Sequence, residues 1–251
     1  MRRLVIRPGG IGDFILSLPA LECLKPEYLE VWTTRRTVPL VRFADRVRAI
    51  DSTGIELTGV AEPPPAALGD FDEIVSWYGA NRPEFRDAVA HLPFRFFPAL
   101  PPADSATHAA DFYLEHARAI APCMSDGIPR IACSGAAREN FAVIHPFSGS
   151  PRKNWPLEKF RALAARLERS MPVQWCAGAD DPPLPEAVRI DDLYELACWL
   201  ARARLYVGND SGITHLAAAA GTPVLAIFGP TDPAVWAPRS PHVRVVRART
   251  G

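Results

Sequence analysis

Residues 205–233 read LYVGNDSGITHLAAAAGTPVLAIFGPTDP. Leu205, Tyr206 and Val207 make a short apolar strand. Gly208-Asn209-Asp210-Ser211-Gly212 follows as a polar turn, and a glycine at each end lets it bend sharply. Ile213 to Ala220 is Ala-rich and strongly helix-favouring, and Gly221-Thr222-Pro223 stops that helix. Val224 to Phe228 is a second buried strand, closed by Gly229-Pro230-Thr231-Asp232-Pro233. Strand, glycine turn and helix N-terminus together aim backbone N–H groups outward at the positive end of a helix dipole. Such a place favours phosphate. The stretch points to an α/β fold and to a nucleotide or nucleoside-diphosphate ligand.

The same unit recurs upstream. Leu4-Val5-Ile6 is a strand and Pro8-Gly9-Gly10-Ile11-Gly12-Asp13 a glycine-rich turn. Ile11, Ile15, Leu18, Leu21 and Leu24 then fall at helical spacing, so a helix begins near Gly12 or Asp13, with Pro19 expected to bend it or end it early. Strands are expected at 29–33, 47–50, 73–77 and 95–97, with short helices at 38–43 and 83–91 and an amphipathic helix at 108–121. Residues 53–70 are irregular and carry Pro63-Pro64-Pro65. After Pro122 the periodicity is lost through Asn140, and 123–140 reads as a linker. The pattern restarts with a strand at 141–145, a loop at 146–156, a helix at 157–169, a strand at 173–176, a helix at 192–203 capped by Asp191 or Asp192, and a last strand at 243–246. Alternating strands and helices in both halves give two α/β domains, 1–122 and 141–251, with a cleft between them. Ligands of open α/β sheets bind outside the carboxyl ends of the strands. Loops 7–13, 146–156, 177–181, 208–212 and 229–233 all sit at such ends.

Composition bounds the function. The chain has 251 residues, 48% hydrophobic and 22% charged, as in an ordinary soluble enzyme. A formal net charge of zero argues against nucleic acid as the main partner. The cysteines at 23, 123, 133, 176 and 198 show no CxxC pair and no zinc-site spacing, so free thiols in a reducing cytosol are expected. Met1-Arg2-Arg3 leads straight into a strand rather than a signal peptide. The apolar run 216–228 is broken at Gly221-Thr222-Pro223 and is too short to span a bilayer.

Three motifs, RPGGIGDFILSLPAL at 7–21, HPFSGSPRKNWPLEKF at 145–160 and GNDSGITHLAAAAGTPVLAIFGPTDP at 208–233, resemble glycosyltransferase family 9, the ADP-heptose:lipopolysaccharide heptosyltransferases. The resemblance covers most of the chain and is strongest in its second half. It implies a GT-B fold of two Rossmann-like domains, acceptor on the first and sugar nucleotide on the second. It also implies an inverting, metal-independent transfer, with no cofactor besides the sugar-nucleotide substrate, perhaps ADP-heptose.

The resemblance assigns Asp13 as the general base that takes the proton of the attacking acceptor hydroxyl. The residues alone also allow a helix N-cap. Lys153, in Arg152-Lys153-Asn154-Trp155-Pro156, matches the family's lysine that meets charge on the leaving diphosphate, against the alternative of a solvated loop lysine. Ser148 and Ser150 are further phosphate donors. Asp180 stands where the family has a glutamate contacting the nucleoside, and Asp181 lies beside it; a turn carboxylate is the other reading. Ser211 and Gly212 suit the diphosphate, whereas Asp210 would repel it and is expected to cap the helix or to orient Lys153 or the sugar. His215 and Thr231 are expected to bound the same pocket, with a packed helix histidine the alternative for the first. Gly10, Arg35 and Arg36 are assigned to the acceptor side, where Arg42, Arg46 and Arg48 add to a basic excess suited to an acidic lipid-linked sugar.

The chain also departs from the family. GT-B proteins usually continue past the last strand with a helix crossing back to the first domain, and here Val246 is followed by five residues. A non-catalytic sugar-nucleotide-binding module and a GT-B-like sugar-nucleotide epimerase therefore stay open beside the transferase. A monomer in the cytoplasm is expected, with peripheral contact at the inner membrane as a further expectation.

Overall fold

The computed structural model describes residues 1–135 and 137–248. Its first half carries five strands, β1 (Arg2–Ile6), β2 (Tyr28–Thr33), β3 (Arg46–Ala49), β4 (Glu73–Ser76) and β5 (Phe94–Phe96), in the order β3-β2-β1-β4-β5. The second half carries β6 (Ala142–His145), β7 (Val173–Cys176), β8 (Ala187–Val188), β9 (Leu205–Asn209), β10 (Val224–Phe228) and β11 (Val243–Arg247), in the order β8-β7-β6-β9-β10-β11. Every pairing in both sheets is parallel. Each half is thus a doubly wound, Rossmann-like sheet. Strand order reverses between β1 and β4 in one and between β6 and β9 in the other, and these are the switch points where such sheets bind ligands.

Side-chain alternation along the central strands explains the layering. Leu4 and Ile6 of β1 join Trp32 and Phe85 on one face, while Val5 joins the opposite core. Ile144 of β6 packs with Phe160 and Val207, while Val143 faces the other way. Alternate residues of a strand point to opposite faces, so strands buried on both sides must be apolar throughout. Helix α1 (Ile11–Cys23) lies against α3 (Ala109–Arg118), which follows the short α2 (Pro83–Ala88), and against α6 (Gly212–Ala219) of the second half. One contiguous core therefore runs through both halves, from Val5, Phe14 and Leu18 to Leu196, Leu216 and Ala217. Polar ties reinforce it: Asp111 pairs with Arg239 at 2.5 Å, His108 Nε2 lies 3.0 Å from the Ala237 carbonyl, and the Arg42 guanidinium stacks 4.2 Å from the Tyr194 ring centroid.

Glycine sets how closely the two halves meet. A Cβ on Gly212 would stand 2.6 Å from Ile11 Cβ, and one on Gly12 would stand 3.0 Å from His215 Cδ2. A side chain at Gly212 would push α1 and α6 apart, whereas one at Gly12 would require the His215 ring to give by a few tenths of an ångström.

Several expectations need correcting. Pro19 does not end α1 early: the helix runs on to Cys23. The helix expected at 38–43 is a 3-10 turn at Arg35–Leu40, with Pro39 inside it. Residues 53–70, read as irregular, contain 3-10 turns at Ile55–Leu57 and Ala66–Asp70. The two-residue β8 and the one-turn α7 (Pro233–Trp236) were too short for any periodicity to show. Asp192, not Asp191, caps α5 (Leu193–Ala201), accepting from the Tyr194 and Glu195 amides. The five cysteines are not all free: Cys23 at the end of α1 and Cys123 in the linker form a disulfide, with Cα atoms 5.2 Å apart. The partners are 100 residues apart in sequence, so only the fold brings them together.

Candidate active site

The carboxyl ends of the two sheets face each other across a cleft of about 830 Å³. All five polar loops anticipated at strand ends line it: Gly9 to Asp13 on one wall, and Ser148 to Lys153, Gly178 to Asp181, Asp210 to Gly212 and Thr231 on the other.

Asp13 occupies the first turn of α1, but it is not the cap. Gly10 is the N-cap residue and supplies no side chain, while a Cβ at Gly10 would lie 3.1 Å from Asp13 Oδ2. Among the described residues nothing donates a hydrogen bond to this carboxylate, so its oxygens face the cleft uncommitted. Burial raises its pKa above the ordinary carboxylate value, Arg7 and Lys153 pull it back down, and Asp210 pushes it up.

Lys153 sits at the end of a 3-10 turn, Pro151–Lys153, in the loop between β6 and α4 (Leu157–Leu167). Its Nζ donates to Asp210 Oδ2 at 2.7 Å, and Thr231 Oγ1 donates to the same oxygen at 2.6 Å. Asp210 therefore orients Lys153 rather than capping α6. The cap is Ser211, whose hydroxyl accepts from the Thr214 amide. Because α6 begins at Gly212, the first amides of the helix lie at the cleft, where they have no intrahelical partner.

The loop that carries Lys153 is fixed from below. Asn209 Nδ2 donates to the Pro146 carbonyl at 2.7 Å and its Oδ1 accepts from the Trp155 amide at 2.9 Å. Ser148 Oγ lies 2.7 Å from both the Ser150 carbonyl and Asn154 Oδ1, so its proton serves the loop itself. Asn154 and Asn209 escaped the sequence reading because their work is internal to the turn; the Asn after the strand in Gly208-Asn209-Asp210 was the available signal.

Two buried histidines line the same wall. His145, 2% exposed at the end of β6, has Nε2 2.9 Å from Asp181 Oδ2, and its Nδ1 has no partner among the described residues. Burial works to raise the Asp181 pKa, but hydrogen bonds from His145 and the Gly178 amide outweigh it and hold it low. His215, 5% exposed on α6, also leaves Nδ1 unpartnered, and burial pushes its pKa down to about 4, so it is neutral.

The remaining assignments divide. Asp180 is exposed and pairs with Arg36 across the cleft, Nη1 to Oδ2 at 2.7 Å, so residues of the two halves hold each other. Gly10 and Arg36 line the cleft. Arg35 does not; it turns away to Asp51 at 3.1 Å. Arg48 lies over Trp32 and Arg42 over Tyr194, so little of the basic excess is left free toward the cleft. No group of three or more His, Cys, Asp or Glu able to hold a metal is found among the described residues.

The sequence matches the profile of glycosyltransferase family 9 (heptosyltransferase) over residues 103–251, more than half the chain. The chain belongs to glycosyltransferase family 9. It is 30% identical to lipopolysaccharide heptosyltransferase 3 of Escherichia coli over 118 residues, 41% of this chain and 35% of that protein. It is 29% identical to lipopolysaccharide heptosyltransferase 1 of Pseudomonas aeruginosa over 294 aligned positions, 93% of this chain and 80% of that one. The chain thus spans 35% and 34% of the length of the first curated relatives it matches. The fold is that of the E. coli ADP-heptose lipopolysaccharide heptosyltransferase II, with a TM-score of 0.77 at 18% identity, covering 100% of this chain and 92% of that one. An E. coli heptosyltransferase solved with ADP aligns at a TM-score of 0.70 and 19% identity, covering 99% and 93%. As in these family 9 structures, the two Rossmann-like halves make a GT-B fold.

Proposed function

We propose that this chain transfers a sugar, heptose in the first instance, from a nucleoside diphosphate such as ADP-heptose to a hydroxyl of a lipopolysaccharide-core or other surface-glycan acceptor, with inversion. One observation carries the reading. The Asp13 carboxylate, free of hydrogen bonds from described residues, lines the same cleft as a lysine tethered by Asp210. In the reaction Asp13 takes the proton of the acceptor hydroxyl as its oxygen attacks the anomeric carbon. The bond to the diphosphate breaks, and the charge released is met by Lys153 and by the N-terminus of α6. The tether keeps Lys153 in place before charge develops, so little reorganisation is needed at that moment.

On this reading the transfer needs neither a metal ion nor a resident cofactor, because a fixed ammonium and helix amides neutralise the leaving group. The donor's ribose lies toward Gly178 to Asp181, at the end of the second strand of its sheet, where Rossmann-like folds place the acidic residue that reads ribose. Ser148, Ser150 and Thr231 bound the diphosphate side. A single cleft holds both halves of the site, so a monomer suffices. The names of the relatives support the donor and acceptor class. Our reading takes the reaction to be cytoplasmic, on acceptors at the inner face of the membrane, from the acceptor class that the relatives' names print. Among the described residues no helix is long and apolar enough to cross a membrane.

The test is to incubate the purified chain with ADP-heptose and a heptose-deficient lipopolysaccharide core, with and without EDTA. Matched ADP release and a one-heptose gain in acceptor mass, unchanged by EDTA, are expected. Donor binding with no transfer to any surface-glycan acceptor would instead favour the binding module.

A further inference from the structure

Arg7 was passed over in the sequence as the residue between a strand and a glycine turn. It is 1% exposed, among the largest fully buried side chains of the protein. No carboxylate lies within ion-pair distance of it among the described residues, whereas the other buried arginine, Arg3, is paired with Glu73 at 2.6 Å. A buried, unpaired cation is costly and seldom kept without a use.

Its surroundings show what holds it. Nη1 donates to the Pro8 carbonyl at 2.7 Å, and Nη2 donates to the Asp13 carbonyl at 3.3 Å and to the Tyr113 hydroxyl at 2.8 Å. The guanidinium carbon lies 4.6 Å from the centroid of the Tyr113 ring. Tyr113 passes its own proton to the Ala99 carbonyl at 3.0 Å, and burial raises its pKa to about 12, so it stays neutral. Gly9 makes the space: at φ 154° it adopts backbone that side chains rarely take, and a Cβ there would lie 3.0 Å from Arg7 Nη1. The guanidinium therefore sits under the 8–13 turn, clamped to the first turn of α1 by the carbonyl of Asp13 itself.

We propose that Arg7 is a positioning residue for Asp13: a fixed positive charge beneath the turn that fastens the first turn of α1 and holds the Asp13 side chain as the anion that accepts the acceptor's proton. This rests on Asp13 being the base. The charged and titratable groups that act on Asp13 are Arg7 just past β1, Lys153 from the loop after β6 and Asp210 from the turn after β9, with Tyr113 of α3 beside Arg7. Arg7 and Lys153 are the cations among them, and Arg7 is the stronger influence opposing the effect of burial on the Asp13 carboxyl. His116 takes no part in supplying charge: it accepts from Trp77 Nε1 at 3.1 Å, and burial together with Arg7 pushes its pKa down to about 4.

The test is a carbon-13 NMR titration of the Asp13 carboxyl in the wild type, Arg7→Gln, Arg7→Met and Arg7→Lys, with Asp13→Asn identifying the signal. The two neutral variants are expected to raise the titration midpoint, by on the order of 1 pH unit or less, since a positive charge favours the carboxylate but this one acts from beyond ion-pair distance. Arg7→Lys is expected to stay near the wild type. The acid limb of the transfer rate should move upward with the midpoint. A folded neutral variant with an unmoved midpoint overturns the proposal, and so does the failure of both neutral variants to fold, which would make Arg7 a residue of folding alone. The titration needs no turnover, so failure of the base assignment would show separately, as transfer retained in Asp13→Asn.

Discussion

Replacing Gly212 with alanine tests the contact on which the cleft depends. The new methyl would stand 2.6 Å from Ile11 Cβ, 3.0 Å from Ile11 Cγ2 and 3.1 Å from the Gly12 amide nitrogen. Carbon atoms in good contact are about 3.5–4.0 Å apart, so α1 and α6 must separate by about 1 Å. Ile11 Cβ is bonded directly to the backbone, and no rotamer change relieves the clash. Against this, alanine is the better helix former, by about 1 kcal/mol in a helix interior and less at the first position. Overpacking of this kind costs about 1–3 kcal/mol, so the clash wins and the variant loses stability. The same displacement moves Asp13, two residues from Ile11, away from the opposite wall. A shift of about 1 Å at a reacting group costs on the order of 100-fold in rate. Urea unfolding and ADP-release rates would be measured side by side, with Gly69→Ala as the control, since nothing lies within 4 Å of a Cβ there. A Gly212→Ala protein as stable and as active as Gly69→Ala would refute the close-contact account.

Three other outcomes are expected. Thiol titration of the unreduced, denatured protein should find three reactive cysteines, Cys133, Cys176 and Cys198, and five after reduction; Cys123→Ser should lose about 2–4 kcal/mol in urea unfolding, as expected when a long loop is released. Stability should fall as pH drops from the ordinary histidine range toward 4: His116 and His215 are held neutral with pKa near 4 and His108 is also lowered by burial, so the unfolded chain binds protons that the native chain does not. The raised pKa of Asp13 works the other way, favouring the native state as it protonates, so a melting temperature that rises through that window would contradict the histidine burial. Arg36→Ala removes a pair between exposed side chains, worth roughly 0–1 kcal/mol, so thermal stability should hardly change while the Kd for ADP falls; an unchanged Kd would show that the Arg36–Asp180 pair does not compete with the nucleotide.

What the sequence made legible was whatever has a local cause. The strand–glycine–helix units at 4–13 and 205–220 announced both switch points, because bending a chain into a helix N-terminus at a strand end demands glycine at known places. That Asp13 and Lys153 would meet at one cleft was legible through their motifs. The hydrogen bond between Lys153 and Asp210, 57 residues apart in sequence, was anticipated only as one choice among three. Arg7 was missed because its meaning lies in α3, at Tyr113, 106 residues away. The Cys23–Cys123 bond and the Arg36–Asp180 pair were missed because both join distant parts of the chain: the first depends on how the end of α1 meets the segment after α3, the second on how the two halves dock. Spacing along the chain carries no trace of that.

The most direct test of the central claim is to measure ADP binding by calorimetry and heptosyl transfer in the same preparations of wild type and Asp13→Asn. On the proposed reading the donor binds the second half and the base stands on the first, so ADP affinity should be nearly unchanged while transfer falls by two orders of magnitude or more, on the scale of about 100- to 10,000-fold that general-base catalysis contributes. Transfer retained in Asp13→Asn would contradict the account.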